Sequence, residues 1–125
     1  MKKRPNIIFF FTDQQRPDTI GCYGQKLEVT PNLDRLAREG IKFEHAFTPQ
    51  PVCGPARSCV QTGKYATETG VYFNRKPLKL DEDTIAKRLN DAGYETAYVG
   101  KWHLGSDHQA GEIYATSPMP PERRG

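Results

Sequence analysis

Apolar positions follow two rhythms along this chain. From Asn6 to Thr12 they run on through Ile7, Ile8, Phe9, Phe10 and Phe11, the pattern of a strand covered on both faces. From Ile41 to Phe47 they alternate, Ile41, Phe43, His45 and Phe47 interleaving with Lys42, Glu44 and Ala46, which predicts a short strand. Glu95–Gly100, "ETAYVG", predicts a third. Helical spacing fills the intervals. Thr30 and Pro31 supply an N-cap and a proline at the first helical position, Leu33, Leu36 and Ala37 keep the period, and Gly40 closes it. Pro49 and Pro51 hold extended backbone, after which Pro55 opens a helix to about Thr62 with Gly63 as its stop. Asp81 or Asp83 caps a third helix through Ile85, Ala86 and Leu89, stopped by Gly93.

Asp13–Val29 and Gly70–Leu80 read as loops, and 106–125 predicts no regular element. Strands alternating with helices indicate an α/β fold, a mainly parallel sheet flanked by helices. Ligands of such sheets bind beyond the carboxyl ends of the strands. Two groups fall there: Asp13-Gln14 after the first strand and Lys101-Trp102-His103 after the last.

Composition narrows the class. The chain has 125 residues, enough for one domain, and 36% hydrophobic content with a mean hydropathy of −0.74 implies a modest core. The net charge of +3 is scattered. Lys2, Lys3 and Arg4 at one end and Arg123 and Arg124 at the other form no basic stripe interleaved with aromatics, so no nucleic acid is expected as a partner. The mild positive balance suits an anionic small substrate without demanding one. The apolar run at 7–11 is too short for a signal peptide, is followed by Asp13 and lacks a cleavage site. No run is long enough to span a membrane. An odd set of three cysteines, Cys22, Cys53 and Cys59, argues against a disulfide framework. A cytoplasmic, reducing location is the simplest expectation.

The candidate chemistry centres on "PVCGPARSCVQTGKY", Pro51 to Tyr65. With a helix opening at Pro55, Cys53 stands at a helix N-terminus, where unpaired amides favour an anion, and Arg57 adds a fixed positive charge. The plainer alternative is a buried small thiol beside a surface arginine. A phosphate-binding loop is excluded, because Gly54 and Gly63 are too far apart and Tyr65 follows Lys64. The cysteine-phosphatase loop is excluded too: it places five residues between cysteine and arginine, and here three intervene.

Cys53, Pro55, Arg57, Thr62 and Gly63 match the signature Cys-x-Pro-x-Arg, four residues, Thr-Gly. The chain therefore resembles the type I sulfatases of the alkaline phosphatase superfamily. "PNIIFFFTDQQRPDTIGCYG" is similar to that family's first strand and metal loop, and "GYETAYVGKWHLG" to its later strand and Lys-x-His segment. The resemblance implies the N-terminal part of an alkaline-phosphatase-like sulfatase domain. It also implies that a formylglycine-generating or anaerobic sulfatase-maturating enzyme reads the signature on the unfolded chain and oxidises Cys53 to formylglycine. The hydrated aldehyde would attack the sulfur of a sulfate ester, small molecule or sulfated glycan, in a covalent mechanism. Asp13, Gln14 and the modified Cys53 would ligate a divalent cation, calcium first, with magnesium or manganese as alternatives. Lys101 would hold a sulfate oxygen. His103, two residues on and on the same face of an extended backbone, would assist proton transfer.

Gln14 departs from the pair of aspartates that many relatives carry, and is similar to the branch of phosphonate monoester and phosphodiester hydrolases. The resemblance further implies a second metal-binding cluster, another lysine and another histidine downstream. Asp107, Glu112 and Glu122 lack that setting. A fragment with weak metal binding and little or no turnover is therefore the expectation, with a non-catalytic truncated product as the rival. Asp18, His45 and His108 read as structural or surface residues, Trp102 as packing, and Cys22 and Cys59 as buried thiols.

Overall fold

The computed structural model describes residues 4–105. They belong to two compact units, divided between Ala46 and Phe47. In the first unit the principal element is α1 (Pro31–Glu39). Pro31 at its first position brings a preset φ and lacks only an N–H that would have no partner there. Asp34 in the first turn suits the positive end of the helix dipole. The helix ends where the Gly40 N–H donates to the Leu36 carbonyl at 2.9 Å.

Thr30 occupies the N-cap position without capping α1. Its hydroxyl instead accepts from the Gly21 N–H at 2.9 Å, while Asp34 Oδ1 accepts from the Cys22 N–H at 2.6 Å. These two side chains clasp the 3-10 turn Gly21–Tyr23, which follows a first such turn at Pro17–Thr19. A Cβ at Gly21 would collide with the Asp34 carboxylate, so the clasp requires glycine there. Asp18 pairs with Arg16 at 2.5 Å, the structural role expected of it.

The second unit carries α2 (Cys53–Thr62), α3 (Ala66–Thr69) and α4 (Ile85–Asp91). Helix α2 begins two residues before Pro55, which the first turn tolerates because amides there lack intrahelical partners. Gly63, at φ 69°, closes it by donating to the Cys59 carbonyl at 2.8 Å. Ser58 Oγ donates to the Pro55 carbonyl at 2.8 Å and lies 3.2 Å from Thr69 Oγ1, both groups buried, which joins α2 to α3. Helix α3 has only four residues, too short to show a period in the sequence. Helix α4 is capped by Thr84 rather than by Asp81 or Asp83, its Oγ1 accepting from the Lys87 N–H at 3.3 Å. Asp83 pairs instead with Arg88 at 2.5 Å.

Val71, Leu78 and Leu104 form the core of this unit, with Trp102 packed against it. Each such side chain contributes roughly 1.5–3 kcal/mol when fully buried. The Leu78 N–H donates to the Leu104 carbonyl at 3.1 Å. The segment expected to be a mere loop, 70–80, thus supplies much of the core.

The three predicted strands are corrected. Among the described residues no strand forms, and 6–12, 41–47 and 95–100 carry no paired ladder. A strand is stable only when a neighbour about 4.8 Å away satisfies its amides and carbonyls, and hydrophobicity supplies no such partner. Ile8 is 90% and Val99 95% exposed, so these apolar faces are uncovered. The expected irregular stretch 106–125 lies outside the described residues.

Candidate active site

Cys53 is the first residue of α2, half-buried and with a free thiol. The turn beneath it is firmly held. The Gly54 N–H donates to Asn74 Oδ1 at 2.9 Å, Pro55 has no N–H, and the Ala56 N–H donates to the Val52 carbonyl at 2.8 Å. The expectation of unpaired amides awaiting an anion is therefore corrected at positions 54–56, where the protein uses its own acceptors.

Arg57 is buried, at 7% exposure, and its Nη1 donates to the Lys101 backbone carbonyl at 2.8 Å. It acts as a strut between α2 and the Lys-x-His segment rather than as a surface arginine. Charge-assisted bonds of this kind are roughly twice as strong as neutral ones. The Tyr98 hydroxyl donates to the same carbonyl at 2.6 Å, and its ring meets Trp102 edge-on with centroids 5.1 Å apart. Trp102 packs, as its sequence context suggests.

His103 has φ 59°, in the left-handed region. The chain is not extended there, so the argument that Lys101 and His103 share one face is corrected. Its carbonyl instead turns toward α2. A Cβ built on Gly54 would lie 3.5 Å from the His103 oxygen and 3.2 Å from Asn74 Oδ1, so residue 54 nests between them without a side chain. The structure thus gathers α2's first turn, Arg57, Asn74 and the 101–104 segment. Sequence reasoning missed Asn74; its only local signal is the turn that continues into Arg75 at φ 73°.

Asp13 and Gln14 belong to the other unit and lie in a bend after the apolar run. Gln14 has φ 53°, a conformation that disfavours side chains by about 1–2 kcal/mol. Among the described residues no group of three or more His, Cys, Asp or Glu side chains could hold a metal ion. The Asp13 carboxylate and the Gln14 amide oxygen are donors of the right hardness for calcium or magnesium. Two residues fall short of the roughly six or more oxygens such ions take. The described residues therefore do not fit a closed metal site by themselves.

The family model for sulfatases matches residues 5–117. The chain belongs to the sulfatase family. Over 107 residues it is 46% identical to an N-acetylglucosamine-6-O-sulfatase of Bacteroides thetaiotaomicron, covering 86% of this chain and 19% of that protein. It is 42% identical to the human steryl-sulfatase, covering 93% of this chain and 22% of the relative. A solved sulfatase in complex with its substrate D-glucosamine-2-N,6-O-disulfate superposes with a TM-score of 0.80 at 45% identity, covering 86% of this chain and 22% of that one. The chain spans about a fifth of the length of the curated relatives it matches. The family generally employs a formylglycine and a divalent metal.

Proposed function

We propose that this chain carries the nucleophile half of a sulfuric ester hydrolase, with Cys53 as the residue converted to formylglycine. One observation carries the reading. In a member of the sulfatase family, Cys53 opens a helix whose Arg57 is buried against the Lys101 carbonyl, so the signature cysteine and the Lys-x-His segment are mechanically joined. Formylglycine at position 53 would supply a hydrated aldehyde whose hydroxyl would be the nucleophile toward the ester sulfur. Arg57 anchors the backbone segment bearing Lys101 and His103 through the Lys101 carbonyl. Lys101 offsets charge on a sulfate oxygen through its ammonium group, and His103 passes a proton to the departing alcohol oxygen.

Asp13 and Gln14 would each offer an oxygen donor to a divalent cation, calcium first with magnesium or manganese as alternatives, and the modified Cys53 would offer another. The sulfated sugar bound by the solved relative supports a sulfated glycan as substrate. A mainly parallel sheet in the complete domain, a maturation enzyme acting before folding, and a cytoplasmic location complete the proposal. No helix among the described residues is long and apolar enough to cross a membrane.

The test is mass spectrometry of the peptide bearing Cys53 from the complete enzyme expressed with its maturation system, paired with an aryl-sulfate assay. Conversion of the thiol to the aldehyde, with Cys53→Ala losing on the order of 10⁵-fold or more in kcat, is expected of a covalent nucleophile. Full activity with an unmodified thiol would sink the mechanism. Gln14 favours one rival, a phosphonate or phosphodiester hydrolase, because an amide brings less charge to the metal than a second aspartate. Phosphonate turnover greatly exceeding sulfate turnover by the same enzyme would decide for that rival.

A further inference from the structure

We propose that Asn74 is a positioning residue for Cys53, its side-chain carbonyl fixing the turn on which residue 53 stands. The assignment rests on the reading of Cys53 as the reacting residue. An amide at the second position of a helix has no intrahelical partner, and an N-cap side chain usually supplies one. Here the N-cap is Val52, which has no acceptor, and no side chain at that position caps α2. The acceptor comes from 20 residues downstream, where Asn74 Oδ1 lies 2.9 Å from the Gly54 nitrogen. Because Gly54 donates, the carbonyl end of the asparagine must face it.

Three further observations show that this contact is built into the surrounding structure. Arg75, the next residue, is held at φ 73°, and non-glycine residues persist in that region only where their surroundings impose it. Gln50 Nε2 donates to the Tyr72 carbonyl at 3.3 Å, which draws the approach to α2 alongside the approach to Asn74. Val71 and Leu78, on either side of Asn74, are buried in the core with Leu104. Cys53 is therefore placed by the packing of this unit, through Asn74, rather than by the local preference of α2. A reacting atom displaced by about 1 Å loses on the order of 10²-fold in rate, so the cap is catalytically consequential without touching substrate.

The experiment compares wild type, Asn74→Ala and Asn74→Asp in the complete enzyme. Amide hydrogen exchange at Gly54 in the unmatured protein is slow in the wild type, about tenfold faster in Asn74→Ala, and slow again in Asn74→Asp, which keeps an acceptor oxygen. In the matured enzymes, at equal Cys53 conversion by mass spectrometry, Asn74→Ala lowers kcat roughly 10- to 100-fold with KM little changed. Asn74→Asp restores most of kcat and raises KM, since its charge opposes an anionic ester. A Gly54 amide that exchanges freely in the wild type overturns the assignment whether or not either variant folds. Wild-type kcat in Asn74→Ala, or equal kcat losses in both variants, also overturns it. Absence of aldehyde at position 53 in an active wild type would instead overturn the reading of Cys53, a result distinct from any change at Gly54.

Discussion

The two units are held together by different means. Residues 4–46 contain no fully buried residue, and their order comes from hydrogen bonds: the Thr30–Gly21 and Asp34–Cys22 pairs and the Tyr23 hydroxyl on the Phe43 carbonyl at 2.7 Å. Residues 47–105 have a core of Val71, Leu78 and Leu104, and they also bury Arg57, Ser58, Thr69 and Thr84. In the second unit the buried polar groups are hydrogen-bonded within the same unit as the apolar core, Arg57 to the Lys101 carbonyl, Ser58 to the Pro55 carbonyl and Thr84 to the Lys87 amide. In the first, Asp13 and Gln14 follow directly on a run of exposed apolar side chains.

The largest difference in stability is expected at the core of the second unit. In this chain Leu104→Ala should destabilise the second unit by about 2–5 kcal/mol, the range for a buried leucine. Leu36→Ala, at a side chain 56% exposed in α1, should change stability by about 0.5 kcal/mol or less. Denaturant-dependent hydrogen exchange of the α2 and α1 amides reads the two effects separately. Equal losses would mean that the units are not built differently after all.

Next in size is the strut. Arg57→Met removes a buried, charge-assisted donor from the Lys101 carbonyl and should cost about 1.5–3 kcal/mol. Because Tyr98 still donates to that carbonyl, the loss should fall below the Leu104 effect. A thermal melt of the second unit showing no change would remove the mechanical link between α2 and Lys101.

The two threonines that precede helices sharpen the contrast further. Thr84→Ala removes a true N-cap and should lower α4 stability by about 0.5–2 kcal/mol, visible as lost exchange protection at Lys87. Thr30→Ala should leave the first turn of α1 intact and instead deprotect the Gly21 amide. Deprotection at the start of α1 would contradict the clasp described above.

The smallest effect belongs to the ion pair between Lys64 and Glu82. Hydrogen bonding to the Glu82 carboxylate raises the Lys64 pKa above its ordinary 10.5, against a lesser opposing effect of desolvation. A raised folded pKa means the pair contributes fully below pH 10.5 and loses its contribution as pH climbs through the folded value. Glu82→Gln should therefore lower stability slightly at neutral pH, where the pair contributes, and flatten the alkaline limb of the stability curve, and high salt should act in the same direction. A pH profile identical to wild type would show that the pair is electrostatically idle.

The three longer helices were legible in the chain because their signals are local. Thr30-Pro31, Gly40, Gly63 and the Ile85–Leu89 period all lie within the elements they define. Strands were not, because a strand needs a partner that its own residues cannot specify, and Ile7–Phe11 announce only an appetite for burial. The site divides along the same line. Cys53 and Arg57 were visible as a spaced motif within one helix. The burial of Arg57, the left-handed turn at His103 and the reach of Asn74 to Gly54 join residues 20 to 44 positions apart in sequence, beyond any local pattern. Thr84 was overlooked for a different reason. Three acidic residues stand just before it and compete for the same role in the sequence, and in the structure Asp83 pairs with Arg88 while the Thr84 hydroxyl caps the helix.

The burial of α2 also sets a clock. Pro55 and Arg57 are exposed to an outside reader only while the chain is unfolded; once α2 has docked they lie beneath the surface, and Gly63 has become a left-handed helix stop. If a maturation enzyme reads these residues, as proposed above, it would be in a race with the folding of the element they build. Slowing that folding would raise the fraction of converted Cys53, and speeding it would trap thiol, even though neither change touches a residue of the signature.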